Sequence, residues 1–383
     1  MKRVVKKKRK NKKRNKFKVK SRPVDKIFLT LILVILFIGL VSIFSAGIAV
    51  AQIRFNDPYY YFKHQLFYGV LPGLVLMFIV SKIHYKFWQK WAIALFVLAI
   101  LTLVLVLIPG VGVELKGAKR WIDLGPISFQ PAEFLKLALI VYLASWLAGK
   151  KKRIKDFSES LIPFVVFMGI VGILILLQPD VGSLGAIAFI ALSMFYIAGA
   201  SLRHIVGLVL LGVISLALLI KLEPYRMNRF LAFINPDIDA QGIGWQVKQA
   251  AIAVGSGGLF GVGLGHSHQK FSYLPEVVGD SIFAIIAEEV GLVGAGIVVI
   301  LFFLLVLRGF RLAWLAPDRF SSYLVFGISF WIIFQALINI MAIIGLIPLT
   351  GIPLPFVSYG STSLIFALVG VGIVLNISRY IKQ

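Results

Sequence analysis

Long apolar runs separated by short polar segments dominate the chain after residue 26. Ten runs contain about 17 to 27 residues each, the length that an α-helix needs to cross a hydrocarbon layer of about 30 Å. We therefore predict an all-α polytopic integral membrane protein with about ten transmembrane helices. The predicted spans are approximately 27–50, 63–81, 91–110, 130–148, 160–177, 181–199, 205–221, 281–307, 321–346 and 360–378.

The connection between the seventh and eighth spans, residues 222–280, is long and only partly polar. Its middle, Gln249–Gly265, is apolar and contains six glycines. A re-entrant hairpin, an interfacial helix and a cavity lid all fit this composition. Because irregular backbone at membrane depth is tolerated only against protein or water, we expect the segment to line a cavity.

Composition agrees with a membrane protein and excludes a soluble enzyme. The chain is 59% apolar and only 15% charged, whereas soluble domains carry about 25% charged residues. The net charge is nevertheless +24, and residues 1–26 hold 15 of the 40 Lys and Arg residues with one acid, Asp25. The sequence has no cysteine, which excludes disulfides and thiolate chemistry.

The basic tail has two interpretations. It could bind nucleic-acid phosphates, or it could mark the cytoplasmic side of the membrane and contact anionic lipid headgroups. We favour the second and expect no nucleic acid, because Lys and Arg also concentrate in the short connections that would lie on the same side, such as 82–90, 150–155 and 308–320. This orientation puts both termini in the cytoplasm and divides the chain into a tail, 1–26, and a membrane domain, 27–383.

Four groups of polar residues lie on the predicted outer side. The first surrounds the start of the fourth span, where Glu133 and Lys136 are three residues apart and can pair on one helix face. An ionisable pair at the membrane edge suggests function, and a purely structural ion pair is the alternative. The second group is Gln178-Pro179-Asp180, in which Asp180 could simply cap the following helix.

The third group, His266–Asp280, ends where the eighth span begins. Asp280 would lie near a helix N-terminus, where a carboxylate is stabilised and could act as a general base. An ordinary N-cap is the alternative interpretation of Asp280. His266 and His268 form only an H-x-H pair, which does not by itself indicate a metal.

The fourth group, Gly351–Ser363, combines prolines, glycines and hydroxyl side chains before the tenth span. Capping and helix packing through small residues would also explain it. Glu288 and Glu289 follow the start of the eighth span, and acids buried there require a partner or a water path that the sequence does not identify. The chain contains no P-loop motif.

In this order, these segments resemble the SEDS family (shape, elongation, division and sporulation proteins) over about residues 27–380. One segment alone would be a weak signal, whereas the set is specific. The run NPDIDAQGIGWQ followed by QKFSYLPE is more similar to the division-type FtsW branch than to RodA. The matching segments are GAKRWIDLGPISFQPAEFLKL, LLQPDVGS, YRMNRFLAFINPDIDAQGIGWQ, AIAVGSGGLFGVGLGHSHQKFSYLPE, DSIFAIIAEEVGLVG and GIPLPFVSYGSTS.

The resemblance implies a peptidoglycan glycosyltransferase that joins lipid II units into glycan strands at the outer face of the bacterial cytoplasmic membrane, for cell division or elongation. It implies that Asp280 is the family's essential aspartate, acting as general base on the acceptor hydroxyl. The undecaprenyl pyrophosphate that leaves needs cations, for which the candidates are Lys119, Arg120, Lys136, Arg226, Lys248 and Lys270. Further candidates for contact with lipid II are Gln130, Glu133, Glu276, Ser358 and Tyr359.

The implied partner is a class B penicillin-binding protein, the transpeptidase that cross-links the strands, with divisome or elongasome proteins and membrane lipids around it. No cofactor is expected. A divalent cation at the pyrophosphate stays open as an alternative, although no motif in the sequence indicates one. A lipid II flippase or other transporter and a non-catalytic scaffold for the partner enzyme stay open as alternatives. A transporter should place polar groups near the membrane midplane, and Glu288 and Glu289 keep that alternative open.

Overall fold

A computed structural model describes residues 23–115, 118–125, 127–150, 153–239, 242–271 and 273–381. The first 22 residues lie outside this range, so the predictions about the basic tail stay predictions. Within the described ranges, nine helices of 18 residues or more are apolar enough to cross a membrane, and the helix Val181–Ile197 is shorter, with 17 residues. This result confirms the predicted all-α polytopic architecture.

The helices predicted to span the membrane all form, and two further helices lie within the long connection. Both of these, α8 and α9, fall inside residues 222–280. In chain order the helices are α1 (Lys26–Phe55), α2 (Tyr60–Lys82), α3 (Lys86–Leu107), α4 (Pro131–Gly149), α5 (Phe157–Leu176), α6 (Val181–Ile197), α7 (Leu202–Leu222), α8 (Pro224–Ile234), α9 (Ile243–Ser256), α10 (Ile282–Trp314), α11 (Arg319–Ile343) and α12 (Ser361–Ser378).

A small antiparallel sheet, which the apolar pattern did not predict, fills the connection between α3 and α4. Its strands are β1 (Gly112–Leu115), β2 (Ala118–Asp123) and β3 (Ser128–Phe129), paired in that order. The Thr362 hydroxyl at the start of α12 donates a hydrogen bond to the Ser128 carbonyl at 2.5 Å. The sheet is therefore anchored to the helical bundle.

Helices in lipid associate through close packing, so small residues at their contacts matter. A Cβ at Gly372 of α12 would lie 2.6 Å from the Met77 carbonyl oxygen of α2. The two backbones can approach this closely only because position 372 is glycine.

Both described ends of the chain lie on one face of the bundle, which we call the termini face. The Asp25 carboxylate accepts hydrogen bonds from Arg308 at 2.5–3.2 Å, and the Asp25 amide donates to the Ser378 hydroxyl at 3.0 Å. Burial alone would raise the pKa of Asp25, but hydrogen bonds from Arg308 and the Phe28 amide outweigh it and hold the pKa below its usual value. The ends of α10 and α12 are thereby tied to the start of α1.

Helix α10 is broken at Gly291, where φ is 68° and ψ is −171°. The segment 257–270, which we call the strap, lies across this break. The Leu292 and Val293 amides donate to strap carbonyls at 2.9 and 3.1 Å, and the Glu288 and Glu289 carbonyls accept from strap amides at 3.0 Å. The strap therefore replaces the two helical hydrogen bonds that the break removes, and this part of the glycine-rich segment packs on protein as irregular backbone must.

Candidate functional site

Asp280 lies in a tight turn immediately before α10. The Gly279 and Ser281 amides both donate to the Glu276 carbonyl, at 2.9 and 3.2 Å, and Glu276 has a left-handed φ of 53°. Ser281 occupies the N-terminal boundary of the helix, so the capping position belongs to Ser281. Asp280 is half-buried and Glu276 is exposed.

The loop 351–360 packs against this turn and brings the third and fourth polar groups together. The Ser358 hydroxyl donates to the Gly279 carbonyl at 2.7 Å, and the Tyr359 amide donates to the Val278 carbonyl at 2.8 Å. A Cβ at Gly351, where φ is 70°, would lie 3.9 Å from the Asp280 Oδ2 oxygen. The carboxyl group of Asp280 therefore faces the start of this loop, and we call this side of the bundle the Asp280 face.

Asn339 of α11 connects the turn at Asp280 to the loop 351–360. Its side-chain amide donates to the Asp280 carbonyl at 2.7 Å and to the Ile352 carbonyl at 2.9 Å. Asn339 is 1% exposed, so water cannot easily replace either bond. Sequence reasoning missed this residue, because a single asparagine in an apolar span carries no signal of what it contacts.

We expect Asn339→Leu to destabilise the site. Leucine has a similar size but no donor, so two buried carbonyls would lose their partner, at a cost of about 1–3 kcal/mol for each. The apparent melting temperature and the activity per folded protein should both fall. Asn228→Leu, at an exposed position of α8, is the control, and equal behaviour of the two variants would contradict the assigned role of Asn339.

Helix α9 supports the same turn from the side. The Gln246 side-chain amide donates to the Ser281 hydroxyl at 3.0 Å, and the Trp245 indole donates to the Tyr273 carbonyl at 2.7 Å.

Two of the predicted cations, Arg226 and Lys248, lie in the connection between α7 and α10. Lys248 forms a surface ion pair with Asp237, and Arg226 donates to the Leu219 carbonyl at 3.1 Å.

Glu133 and Lys136 form an ion pair at 2.6 Å near the start of α4. Their side chains are only 2% and 1% exposed, and the Lys136 Nζ lies 5.4 Å from the ring centre of Trp331. The second carboxylate oxygen of Glu133 is buried and has no hydrogen-bond partner among the residues that the structure describes. Because Lys136 is buried, a pyrophosphate could reach it only if the surrounding helices moved. Gln130, just before this helix, is half-buried.

Arg120 of β2 connects the first polar group to the second. Its Nε donates to the Gln178 carbonyl at 3.1 Å, another of its nitrogens contacts the Pro179 carbonyl, and a third lies 4.0 Å from the Asp180 carboxylate. Asp180 itself caps α6 through the Ser183 amide at 3.1 Å. Asp180 therefore acts as a helix cap, as one of the two interpretations predicted. Lys119, next to Arg120, is exposed.

Tyr359 lies against a histidine that sequence reasoning missed. Its phenol oxygen is 3.0 Å from His64 Nδ1 on α2, and its ring centre is 5.0 Å from that of Tyr61. Burial, with the neighbouring Tyr60 and Tyr61, raises the pKa of Tyr359, so the phenol stays neutral at any physiological pH. The Gln65 side chain accepts from the Gly360 amide at 3.1 Å and fastens the same loop to α2.

The two adjacent acids of α10 have partners that the sequence did not identify. Glu289 accepts from the Lys270 ammonium at 3.1 Å and from the Ser45 hydroxyl of α1 at 2.6 and 2.8 Å. Glu288 accepts from the Ser267 hydroxyl at 2.5 Å and from the His268 amide at 2.9 Å. Lys270 is 2% exposed, so it is directed into the protein and away from a surface ligand.

An apolar groove lies between α1 and α10, at the level of the break. Its volume is about 260 Å³, and its lining includes Val41, Leu264, Gly294 and Ile297, with Glu289 among the few polar residues. Among the described residues, no group of three or more His, Asp or Glu side chains is arranged to hold a metal ion.

The family model described as "Cell cycle protein", which covers FtsW, RodA and SpoVE, matches residues 25–383. The chain is 42% identical to stage V sporulation protein E of Bacillus subtilis, over 93% of this chain and 97% of the relative. It is 39% identical to a probable peptidoglycan glycosyltransferase FtsW of Trichlorobacter lovleyi, over 94% of each chain.

Solved structures agree with these sequence matches. A chain of a peptidoglycan synthase complex superposes with a TM-score of 0.77 at 30% identity, covering 94% of this chain and 99% of that one. The rod shape determining protein RodA of Thermus thermophilus superposes with a TM-score of 0.70 at 29% identity, covering 94% and 98%.

Proposed function

The chain belongs to the FtsW, RodA and SpoVE family of cell cycle proteins, also called SEDS proteins, and on that premise we propose that it is a peptidoglycan glycosyltransferase that polymerises lipid II. One observation in the structure supports the proposal most directly. The half-buried Asp280 is held by contacts on both sides of its turn, immediately before the N-terminus of α10. Relatives named as glycosyltransferases match this chain over nearly its whole length.

In the proposed reaction, the 4-hydroxyl oxygen of the acceptor sugar attacks the anomeric carbon of the donor. The bond from that carbon to the pyrophosphate oxygen breaks, and undecaprenyl pyrophosphate leaves with the bonding electrons. The Asp280 carboxylate accepts the hydroxyl proton as the new glycosidic bond forms. The N-terminus of α10 lies beside Asp280 and directs the positive end of the helix dipole towards this part of the site.

Cations must compensate the charge that develops on the leaving pyrophosphate. Exposure supports Lys119, Arg120 and Lys248 for this role, because their side chains reach the surface on the Asp280 face. Arg229 of α8 is a further candidate, since it donates to the Leu349 carbonyl at 3.2 Å, next to the loop that faces Asp280. Lys136 and Lys270 are buried in ion pairs and could contribute only after a rearrangement.

The groove between α1 and α10 is suited to the polyprenyl chain of lipid II. It is lined mainly by apolar side chains, and it opens beside the strap that leads to Asp280. The polyprenyl chain lies in lipid before it binds, so close packing against the groove, and not removal from water, would stabilise the complex. A chain lying in this groove would therefore add affinity without taking part in the reaction.

Filling the groove should weaken binding of long-chain substrate. We expect Val41→Trp to raise the KM for full-length lipid II about tenfold, equivalent to about 1.4 kcal/mol, and to leave the KM for a short-chain lipid II analogue unchanged. Val97→Trp is the matched control, because Val97 is 50% exposed on α3, outside the groove. Equal KM values for wild type and Val41→Trp would contradict this location for the chain.

We further propose that the Asp280 face is the outer side of the cytoplasmic membrane and that the termini face is cytoplasmic. The concentration of Lys and Arg in the tail and in the connections of the termini face supports this orientation. A class B penicillin-binding protein is the proposed partner. Support comes from the similar chain in a solved peptidoglycan synthase complex that coordinates polymerization and crosslinking.

The transport alternative depended on Glu288 and Glu289, and their surroundings do not favour it. Between the break at Gly291, which directly follows the two acids and Val290, and Arg308, helix α10 rises by about 25 Å, most of the thickness of the hydrocarbon layer. Because Arg308 lies at the termini face, the two acids lie near the opposite boundary instead of the midplane. Both also have partners within the protein.

Incubation of the purified chain and its transpeptidase partner with fluorescent lipid II tests the proposal. We expect glycan strands that a muramidase digests, formed without a nucleotide. Translocation of lipid II across a vesicle membrane without any polymer would support the transporter instead. Polymer formation by the partner alone would support the scaffold.

A further inference from the structure

The strap is fastened to α10 through side chains as well as backbone. Glu288 and Glu289 accept hydrogen bonds from the strap through their backbone carbonyls. They also accept hydrogen bonds from the strap through their side-chain carboxylates. The Lys270 ammonium completes the connection, because it donates to Glu289 at 3.1 Å and to the Gly265 carbonyl at 2.6 Å. Through Ser45, the cluster also includes α1.

We propose that the buried Lys270–Glu289 ion pair is a positioning device that sets the location of Asp280. This inference rests on the proposed function and adds a role for a pair that lies away from the reacting groups, although Glu289 also lines the apolar groove. It assigns Lys270 to the support of the catalytic turn, where sequence reasoning had suggested a contact with pyrophosphate. The pair lies at one end of the outer part of α10, and Asp280 lies at the other.

The outer part of α10 needs such support because it is short. The break at Gly291 leaves Ile282–Val290 as a separate helical piece of about two and a half turns. Isolated helices of this length are marginal, so the piece depends on its surroundings. Packing buries every residue from Ile282 to Glu289, and hydrogen bonds hold its two ends. Asn339 and the loop 351–360 hold the end at Asp280, and the strap holds the end at Gly291.

A buried ion pair is better suited to fixing the geometry of the turn than to raising the stability of the fold. Burying both charges costs about as much as their attraction returns, so apolar residues of similar volume often give equal or higher stability. Directional bonds do fix geometry, and Glu289 uses both carboxylate oxygens to bind α1 and the strap at once. A general base displaced by about 1 Å loses roughly 100-fold in rate.

The double variant Lys270→Met, Glu289→Met separates positioning from stability. Each single substitution leaves one buried charge without its partner and should lower the apparent melting temperature markedly. The double variant removes both charges, so its melting temperature should return towards the wild-type value. We expect its kcat on lipid II, expressed per mole of folded protein, to stay at least about tenfold low, with KM within about twofold of wild type.

Rates and folded fractions are measured on the full chain with its transpeptidase partner. Arg153→Met, Glu159→Met is the matched control, because that pair is exposed at 67% and 38% on the termini face, and it should behave as wild type. A double variant with wild-type kcat per folded protein would overturn the inference, and so would a raised KM in Lys270→Met, which would indicate contact with the pyrophosphate. Failure of wild type to polymerise lipid II would instead reject the proposed function.

Discussion

Asp280→Asn is expected to abolish glycan polymerisation and to leave the fold intact. Asparagine has nearly the same shape but cannot accept a proton from the acceptor hydroxyl, and a general base contributes about 10²–10⁴-fold to a rate. The fold should persist, because Asn339 bonds to the Asp280 backbone carbonyl and Ser281 occupies the helix boundary. The measurement is the initial rate of polymer formation beside the apparent melting temperature.

A matched control separates this effect from a general loss of negative charge. Asp57→Asn removes an acid from the exposed Asp57–Lys63 pair, at 2.9 Å, in the connection between α1 and α2. That variant should polymerise at nearly the wild-type rate. Normal polymerisation by Asp280→Asn would show that Asp280 is not the base, while unfolding of Asp280→Asn would show that its side chain supports the turn.

The second large effect is expected at the break in α10, where Gly261→Ala should strongly destabilise the protein. Gly261 has a φ of 82°, and an added Cβ would lie 2.2 Å from the Glu289 carbonyl oxygen. The unfavourable backbone conformation alone costs about 1–3 kcal/mol, and the clash also separates the strap from α10. We expect a lower apparent melting temperature and a smaller monodisperse fraction on size exclusion.

Two glycines of the same region serve as controls for this prediction. Gly265 has a φ of 83°, but a Cβ there meets nothing within 4 Å, so Gly265→Ala carries the backbone cost without the clash. Gly255 lies in α9 with open space around it, and Gly255→Ala should be neutral or stabilising. If Gly261→Ala were as stable as Gly265→Ala, the strap would not pack across the break as described.

The membrane architecture could be predicted from the sequence because it depends on local composition. A run of apolar residues forms a spanning helix almost regardless of its neighbours, since the backbone must satisfy its own hydrogen bonds in lipid. The sheet before α4 was missed because its strands are only two to six residues long. Strands that short carry too little alternation to be distinguished from a loop.

The candidate site could be predicted only in part. The residues around Asp280 and Ser358 were identified as separate segments, but their contact across the fold, from Ser358 to Gly279, does not follow from either segment alone. The partner of Glu289 is Lys270, in a part of the chain that reaches it only because the strap folds back. The glycine-rich segment left a hairpin, an interfacial helix and a lid open, and its first part forms the end of α9. The reason for several of the later glycines, a close approach to α10, depends on the helix break and could not be predicted.

Polymerisation of lipid II by wild type and Asp280→Ala, purified side by side with the same transpeptidase partner, tests the central claim most directly. Glycan strands from wild type and none from a folded Asp280→Ala variant that still binds lipid II are the predicted result. Strands of equal amount and length from both proteins would contradict the account.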